Sequence, residues 1–320
     1  MNAQSLIREA QHVFLATHVE PDGDAIGSLL GMGWALRSMG KTVTLACSDP
    51  IPSMYRFLPG SEEIGVYRPT FEDLVIGLDV SDVFRLGATY DPSATPGVPV
   101  LIIDHHITNT HFGNVNLIDL SVASTTQLIF DLLVLMEVPI DATTATCLLT
   151  GLVTDTRGFR TSSTTPRVLE VAQRLMEAGA DLTEITRQVF NSNPLSTLRV
   201  TGAVLSSMQL EGRIIWAAIT REMLNRCGAT PADTSSLSNL LASTREADVA
   251  VVFREKGINL VDVSMRSVPG VDVSGVALRL GGGGHAQAAG ATVHGSLEEV
   301  VTWTLAEIKL SMNGVTGFRI

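Results

Sequence analysis

From residue 13 onward the chain repeats one rhythm: a short apolar run, a polar or glycine-bearing turn, then a longer segment of helical period. Alternation of this kind predicts α/β layering. Residues 13–17, 42–47, 74–78 and 100–103 are rich in Val, Ile and Leu and do not alternate strictly, as expected of strands buried on both faces of a parallel sheet. Helices are predicted over 25–39, closed by Gly40, and over 123–136 and 142–154. A further helix, 166–178, opens on Pro166 and ends at Gly179, after which Asp181 caps a short one.

The pattern changes after residues 191–197 (NSNPLST), which have no apolar periodicity and contain a proline. The expected organisation is a catalytic domain over 1–190, a linker over 191–199 and a second domain over 200–320. In the second domain 213–220 and 248–253 read as strands, with a hairpin turn over 254–257 leading into a strand over 258–266. Helices are expected near Glu222, near Leu237, over 274–280 and over 297–310. The fold class is therefore α/β: an N-terminal doubly wound parallel sheet, and a smaller C-terminal α/β domain with a mixed sheet, with a cleft between them.

Composition narrows the function. No apolar run is long enough to span a bilayer, and the N-terminal apolar stretch is too short for a signal-peptide core, so a cytoplasmic protein without a membrane partner is expected. Cys47, Cys147 and Cys227 form no CxxC pair and encode neither a disulfide framework nor a thiolate zinc site. A net charge of -11 is the wrong balance for gripping long duplex nucleic acid. It leaves room for a small phosphate-bearing ligand, because metal ions supply local positive charge inside an acidic site.

Four acid or histidine clusters fall where such a site assembles, at the carboxyl ends of strands or the end of a helix. They are His18, Asp22 and Asp24 after the first strand, Asp79 after the third, Asp104-His105-His106 after the fourth, and Asp155 after the helix at 142–154. Imidazole mixed with an excess of carboxylate suits divalent ions such as manganese, cobalt, iron or zinc. Taken singly, each residue reads as a turn former, a cap or a satisfied loop histidine; their coincidence at equivalent positions favours a shared centre. Asp82, three residues before Arg85, reads as a cap or an ion pair, which leaves Asp79 as the ligand. A fifth cluster, Gly281 to Gly284 followed by His285, reads either as a flexible loop or, with Arg266 on the preceding strand, as a phosphate or nucleotide clamp.

HVEPDGDAIGS (18–28), Asp79, Asp104-His105-His106 and GLVTDTRGF (151–159) resemble, in order and spacing, the four motifs of the DHH phosphoesterase superfamily. SMRS (264–267) and GGGGHAQAAG (281–290) resemble the first type of DHH-associated C-terminal domain. Within the superfamily the chain is most similar to the small bacterial oligoribonucleases, or nanoRNases, which also dephosphorylate 3′-phosphoadenosine 5′-phosphate. The resemblance implies two divalent ions, manganese first among them, one held by His18, Asp22 and Asp79 and the other by Asp24, Asp79, His105 and Asp155. It implies that Asp104 orients the neighbouring histidines, that His106 faces the scissile phosphate, and that Arg266 and His285, with Gly282, Gly283 and Gly284, hold the far end of the substrate. Relatives often form homodimers. One departure is Arg157, where relatives more often carry glycine; its guanidinium is a candidate phosphate contact or the partner of an acid.

The expected activity is two-metal hydrolysis of short RNA or DNA oligonucleotides to mononucleotides, and of 3′-phosphoadenosine 5′-phosphate to AMP, with water as the nucleophile. The alternative within the enzyme class is a phosphodiesterase acting on cyclic di-AMP or pApA. The alternative from another class is a non-catalytic nucleotide-binding sensor, whose mark would be a lost ligand; none of the expected positions is substituted. Family pyrophosphatases have a different second domain, and processive RecJ-like exonucleases carry additional nucleic-acid-binding domains.

Overall fold

A computed structural model describes residues 2–314. The chain divides into two compact units, Met1–Ser192 and Asn193–Ile320. Residue 1 and residues 315–320, at the ends of the two expected domains, lie outside the described residues.

The first unit runs α1 (Ala3–Glu9), β1 (His12–Thr17), α2 (Gly23–Ser38), β2 (Thr42–Ala46), β3 (Leu74–Leu78), β4 (Val100–Asp104), β5 (Val115–Ile118), α3 (Thr125–Leu135), α4 (Ala142–Asp155), α5 (Pro166–Glu177) and α6 (Leu182–Phe190). Its sheet is parallel throughout, in the order β2-β1-β3-β4-β5. The strand order reverses between β1 and β3, so the loops leaving these strands diverge and open a crevice beyond their carboxyl ends. Side chains alternate across the sheet. Val13, Leu15, Leu45, Ile76, Leu101 and Ile103 pack with the apolar sides of α1 to α6. Phe14, Ala16, Val75, Val100 and Ile102 face the other way, where Val80, Leu86 and Tyr90, from the segment joining β3 to β4, cover them. Both faces are thus buried, the second by short 3₁₀ turns in place of helices.

The strands predicted from apolar runs match the observed ones to within a residue, whereas α1 and β5 were not anticipated. All four residues of β5 are only half-buried at the sheet edge, so the strand lacks the continuous apolar run of its neighbours. The tight packing of α2 on α4 rests on glycine: a Cβ on Gly27 would lie 2.6 Å from the Cys147 carbonyl oxygen, and one on Gly151 would lie 2.7 Å from Asp24 Oδ1. This close approach sets the start of α2 beside the end of α4, bringing Asp24 and Asp155 to the same end of the helix pair.

The second unit contains α7 (Leu195–Ser207), β6 (Gln209–Glu211), β7 (Ile214–Ile219), α8 (Arg221–Cys227), α9 (Leu237–Leu241), β8 (Val249–Gly257), β9 (Leu260–Ser267), α10 (Ser274–Arg279), β10 (Gly283–His285), β11 (Ala288–His294) and α11 (Leu297–Gly314). Its sheet has the order β10-β11-β9-β8-β7-β6 and is mixed, with β7 and β8 parallel and the other pairs antiparallel. Val251, Phe253, Val263 and Met265 pack with α10 and α11 on one face, while Ile215, Ala217, Ala250 and Val252 pack with α7, α8 and α9 on the other. Among the described residues no helix is long and apolar enough to cross a membrane.

Three expectations are corrected in this unit. The linker expected over 191–199 is helical from Leu195, because the buried stripe of α7, Val200 and Val204, begins only after the segment that looked irregular. The hairpin turn expected over 254–257 lies further on: β8 continues to Gly257, and the reversal occurs at Ile258 and Asn259, the latter with φ 50°. The glycine run is no flexible loop, since Gly283 and Gly284 pair with Gly290 and Ala289 of β11. A Cβ on Gly282 would stand 2.1 Å from the Gly290 carbonyl oxygen, whereas one on Gly283 would meet nothing within 4 Å. Gly282→Ala is therefore expected to destabilise this unit by about 1–3 kcal/mol through overpacking, and Gly283→Ala by a few tenths. Equal denaturation midpoints for the two variants would show that steric fit does not explain the run.

Candidate metal centre

Every acid and histidine of the first four clusters leaves an element at the crevice end of the parallel sheet. His18 follows β1, Asp22 caps α2 by accepting from Asp24 N and Ala25 N at 3.0 Å each, and Asp24 lies in the first turn of α2. Asp79 follows β3, Asp104 is the last residue of β4 with His105 and His106 after it, and Asp155 is the last residue of α4. Three groups of ligand atoms each lie within 4.8 Å of one another: His18, Asp22 and Asp79; Asp24, His105 and Asp155; and Asp79, His105 and His106. Asp79 belongs to two of these groups, and His105 links all but the first.

The buried carboxylates are held by donors from the chain. Asp24 Oδ1 accepts from Thr126 N (3.0 Å) and Thr126 Oγ1 (2.9 Å), and Oδ2 accepts from Thr125 N (2.6 Å), so its charge occupies the N-terminus of α3. Asp79 Oδ1 accepts from Thr125 Oγ1 at 2.9 Å. Its backbone has φ 55°, a left-handed conformation unusual for a side chain with a Cβ, and is tied by its N–H to the Ile103 carbonyl at 3.0 Å. Asp104, fully buried, accepts from His105 N (2.8 Å), His106 Nδ1 (2.7 Å) and Asn109 Nδ2 (2.6 Å).

The imidazoles are oriented the same way. His18 Nδ1 donates to the Val19 carbonyl at 2.7 Å, which leaves Nε2 facing Asp79 Oδ2 (3.5 Å) and Asp22 Oδ1 (3.9 Å). His105 Nε2 stands 3.5 Å from Asp155 Oδ2, 3.7 Å from Asp79 Oδ1 and 3.8 Å from Asp24 Oδ2. These separations are too long for good hydrogen bonds and suit donors that share a cation. The donor set, the four carboxylates of Asp22, Asp24, Asp79 and Asp155 with the imidazoles of His18 and His105, fits two hard or borderline divalent ions.

Electrostatics support the same conclusion. Burial, then the charges of Asp79 and Asp22, push the Asp155 carboxyl up to about 8. Asp24 is raised well above its ordinary value by burial and by Asp79, Asp155 and Asp22, and Asp22 is raised by burial and Asp79. Asp79 runs the other way: burial would raise it, but the adjacent imidazoles, His18 first and then His106 and His105, hold it at about 2. His106 is lifted to about 9 by its bond to Asp104, whereas burial lowers His105. Without a cation, the carboxylates around Asp79 cannot all ionise cheaply.

Thr125 and Thr126 carry no sequence signal because hydroxyls at a helix start look like ordinary caps, and Asn109, in the loop between β4 and β5, looks like an ordinary turn residue. Of the two readings of Asp82, cap or ion pair, the structure shows the cap: Asp82 Oδ1 accepts from Phe84 N at 2.8 Å, while Arg85 Nη2 lies 3.1 Å from His18 Nδ1. Arg157 is exposed beside Asp155, and its charge lowers the Asp155 pKa against the other influences. Arg157, Gly158 and Phe159 have φ values of 50°, 71° and 63°, a left-handed turn that accounts for the glycine expected at the first position.

In the second unit Ala288 pairs with His285 on one side and Arg266 on the other, so these two residues share a rung of the sheet. Arg266 Nε donates to Asn239 Oδ1 at 3.0 Å, and His285 is exposed. The N–H of Gly281 donates to Leu278 O (3.0 Å) and that of Gly282 to Ala277 O (2.8 Å), so neither is free to bind an anion as the run suggested.

Residues 12–152 match the model of the DHH family, N-terminal domain, and residues 215–311 match the DHHA1 domain. The chain is 41% identical over 288 residues to the bifunctional oligoribonuclease and PAP phosphatase NrnA of Thermus thermophilus, covering 88% of this chain and 84% of that one. It is 26% identical to the cyclic-di-AMP phosphodiesterase PdeA of Listeria monocytogenes, covering 88% of this chain but 45% of that protein. The crystal structure of an exopolyphosphatase-related protein from Bacteroides fragilis superposes with a TM-score of 0.91 at 26% identity, over 98% of this chain and 96% of that one. This chain belongs to the DHH family of phosphoesterases, joining that family's N-terminal domain to a DHHA1 domain.

Proposed function

We propose that the protein hydrolyses short oligonucleotides to mononucleotides and converts 3′-phosphoadenosine 5′-phosphate to AMP, with manganese as its metal. The observation that carries this reading is the convergence of His18, Asp22, Asp24, His105 and Asp155 around the buried Asp79, together with the likeness along most of the chain to NrnA. In this reading His18, Asp22 and Asp79 hold one ion, and Asp24, Asp79, His105 and Asp155 the other. Divalent ions there supply Lewis acidity, lowering the pKa of coordinated water and offsetting charge on the phosphoryl group.

The chain's own groups do the rest. Asp104 accepts from His106 Nδ1 and favours the charged ring, which places Nε2–H to neutralise a non-bridging phosphoryl oxygen. Arg157 serves a phosphate at the Asp155 side. Arg266 of β9 and His285 of the hairpin that carries Gly282, Gly283 and Gly284, which share one rung of the sheet, hold the terminal nucleotide. Recognition of a chain end favours short substrates and fits the acidic net charge of -11, which disfavours long nucleic acid.

The test is one manganese-supplemented assay offering pApA, a pentanucleotide RNA, a long RNA, 3′-phosphoadenosine 5′-phosphate and cyclic di-AMP. The expected result is fast turnover of the dinucleotide and pentanucleotide, release of phosphate from the bisphosphate, and little action on the long RNA. Preferential cleavage of cyclic di-AMP would replace this reading with cyclic-dinucleotide breakdown.

A further inference from the structure

We propose that Arg85 is a substrate-binding residue of the metal centre, contributing a guanidinium to a phosphate oxygen of the bound nucleotide; this rests on the phosphoesterase reading above. Arg85 follows Asp79 on the segment that leaves β3, and its main chain is fixed against the loop that leaves β1, because Val19 N donates to the Arg85 carbonyl at 2.7 Å. The side chain is exposed and forms no ion pair among the described residues. Its Nη2 reaches to 3.1 Å from His18 Nδ1.

That contact cannot be a hydrogen bond. The Val19 carbonyl, which can only accept, lies 2.7 Å from the same Nδ1, so Nδ1 carries a hydrogen whether the ring is neutral or charged. A guanidinium can only donate, and here it faces a second donor. Nη2 therefore finds no acceptor in its contact with His18, beside a ring whose other nitrogen is 3.5 Å from Asp79 Oδ2. An anion supplies the missing acceptor. The planar fork matches two oxygens of a phosphate, and a phosphate approaching a cluster of four carboxylates needs fixed positive charge at its rim. With Arg157 near Asp155, Arg85 gives the centre a cation on the His18 side as well.

The test compares wild type, Arg85→Gln and Arg85→Lys as manganese-loaded full-length protein, with three readouts. These are the KM and kcat for 3′-phosphoadenosine 5′-phosphate and pApA, the inhibition constant of orthophosphate, and manganese affinity by titration. The expected result for Arg85→Gln is a KM and an orthophosphate inhibition constant each raised about tenfold or more, with manganese affinity unchanged and kcat within a few-fold. Lysine should restore part of the loss. A fall in manganese affinity with KM unchanged would overturn the proposal and make Arg85 a positioning residue for His18, and so would an unchanged KM and inhibition constant. A wild-type protein that turns over neither substrate would overturn the phosphoesterase reading and this proposal together, whereas an active wild type with an indifferent Arg85→Gln overturns only the latter.

Discussion

Asp79→Asn is expected to lower kcat/KM for every substrate by about 10³-fold or more, equivalent to about 4 kcal/mol of transition-state stabilisation. The side chain belongs both to the group with His18 and Asp22 and to the group with His105 and His106, so its charge serves donors on either side. Asparagine keeps the shape and an oxygen for the Thr125 hydroxyl, so folding should survive and the loss should be chemical. Matching circular dichroism spectra with collapsed turnover would confirm this division. Retention of a tenth of wild-type activity would remove Asp79 from the centre of the site.

The second large effect concerns pH and metal. Asp155, held at about 8 by burial and by neighbouring Asp79 and Asp22, and Asp24, raised well above its ordinary value, keep protons near neutrality when no cation is bound. A divalent ion must displace those protons, so apparent manganese affinity should rise steeply between about pH 6 and pH 8, with proton release measurable by calorimetry in buffers of different ionisation enthalpy. Stability of the metal-free protein should change in the opposite sense. A carboxyl whose folded pKa is raised stabilises the fold only while protonated, so its contribution is lost as pH rises through about 8. His106, raised to about 9 by Asp104, stabilises below its unfolded pKa and loses that contribution on the same side. Asp79, held at about 2, acts at the acid end, where its contribution disappears as pH falls through that value. Metal-free protein should therefore melt at a lower temperature at pH 9 than at pH 6.5, and manganese should recover more stability at the higher pH. Melting curves independent of pH and metal would contradict the clustering of these acids.

The parallel sheet and the acid and histidine clusters were legible because two signals coincide in them. Leu74–Leu78 and Val100–Asp104 are apolar runs, and each is followed at once by an acid or histidine that packing alone does not call for. What escaped depends on partners distant in sequence. Thr125 serves Asp79 and Asp24 across intervals of 46 and 101 residues, and nothing local separates it from an ordinary helix start. Arg85 at three residues from Asp82 satisfied a local pairing rule, and only the fold sets it against His18 instead. The glycine run was read as freedom or as an anion cradle, but Gly282 is small because β11 lies against it. The start of α7 was hidden because Leu195 and Leu198 are exposed, so the apolar period appears only at Val200 and Val204.

The most direct measurement is an electron paramagnetic resonance titration of metal-free protein with manganese(II) near pH 8, following the signal of the free ion. Two equivalents should be taken up per chain before free manganese accumulates, with Asp79→Asn failing to retain both. Uptake of one equivalent or none by the wild type would contradict a centre built on Asp79 for two ions.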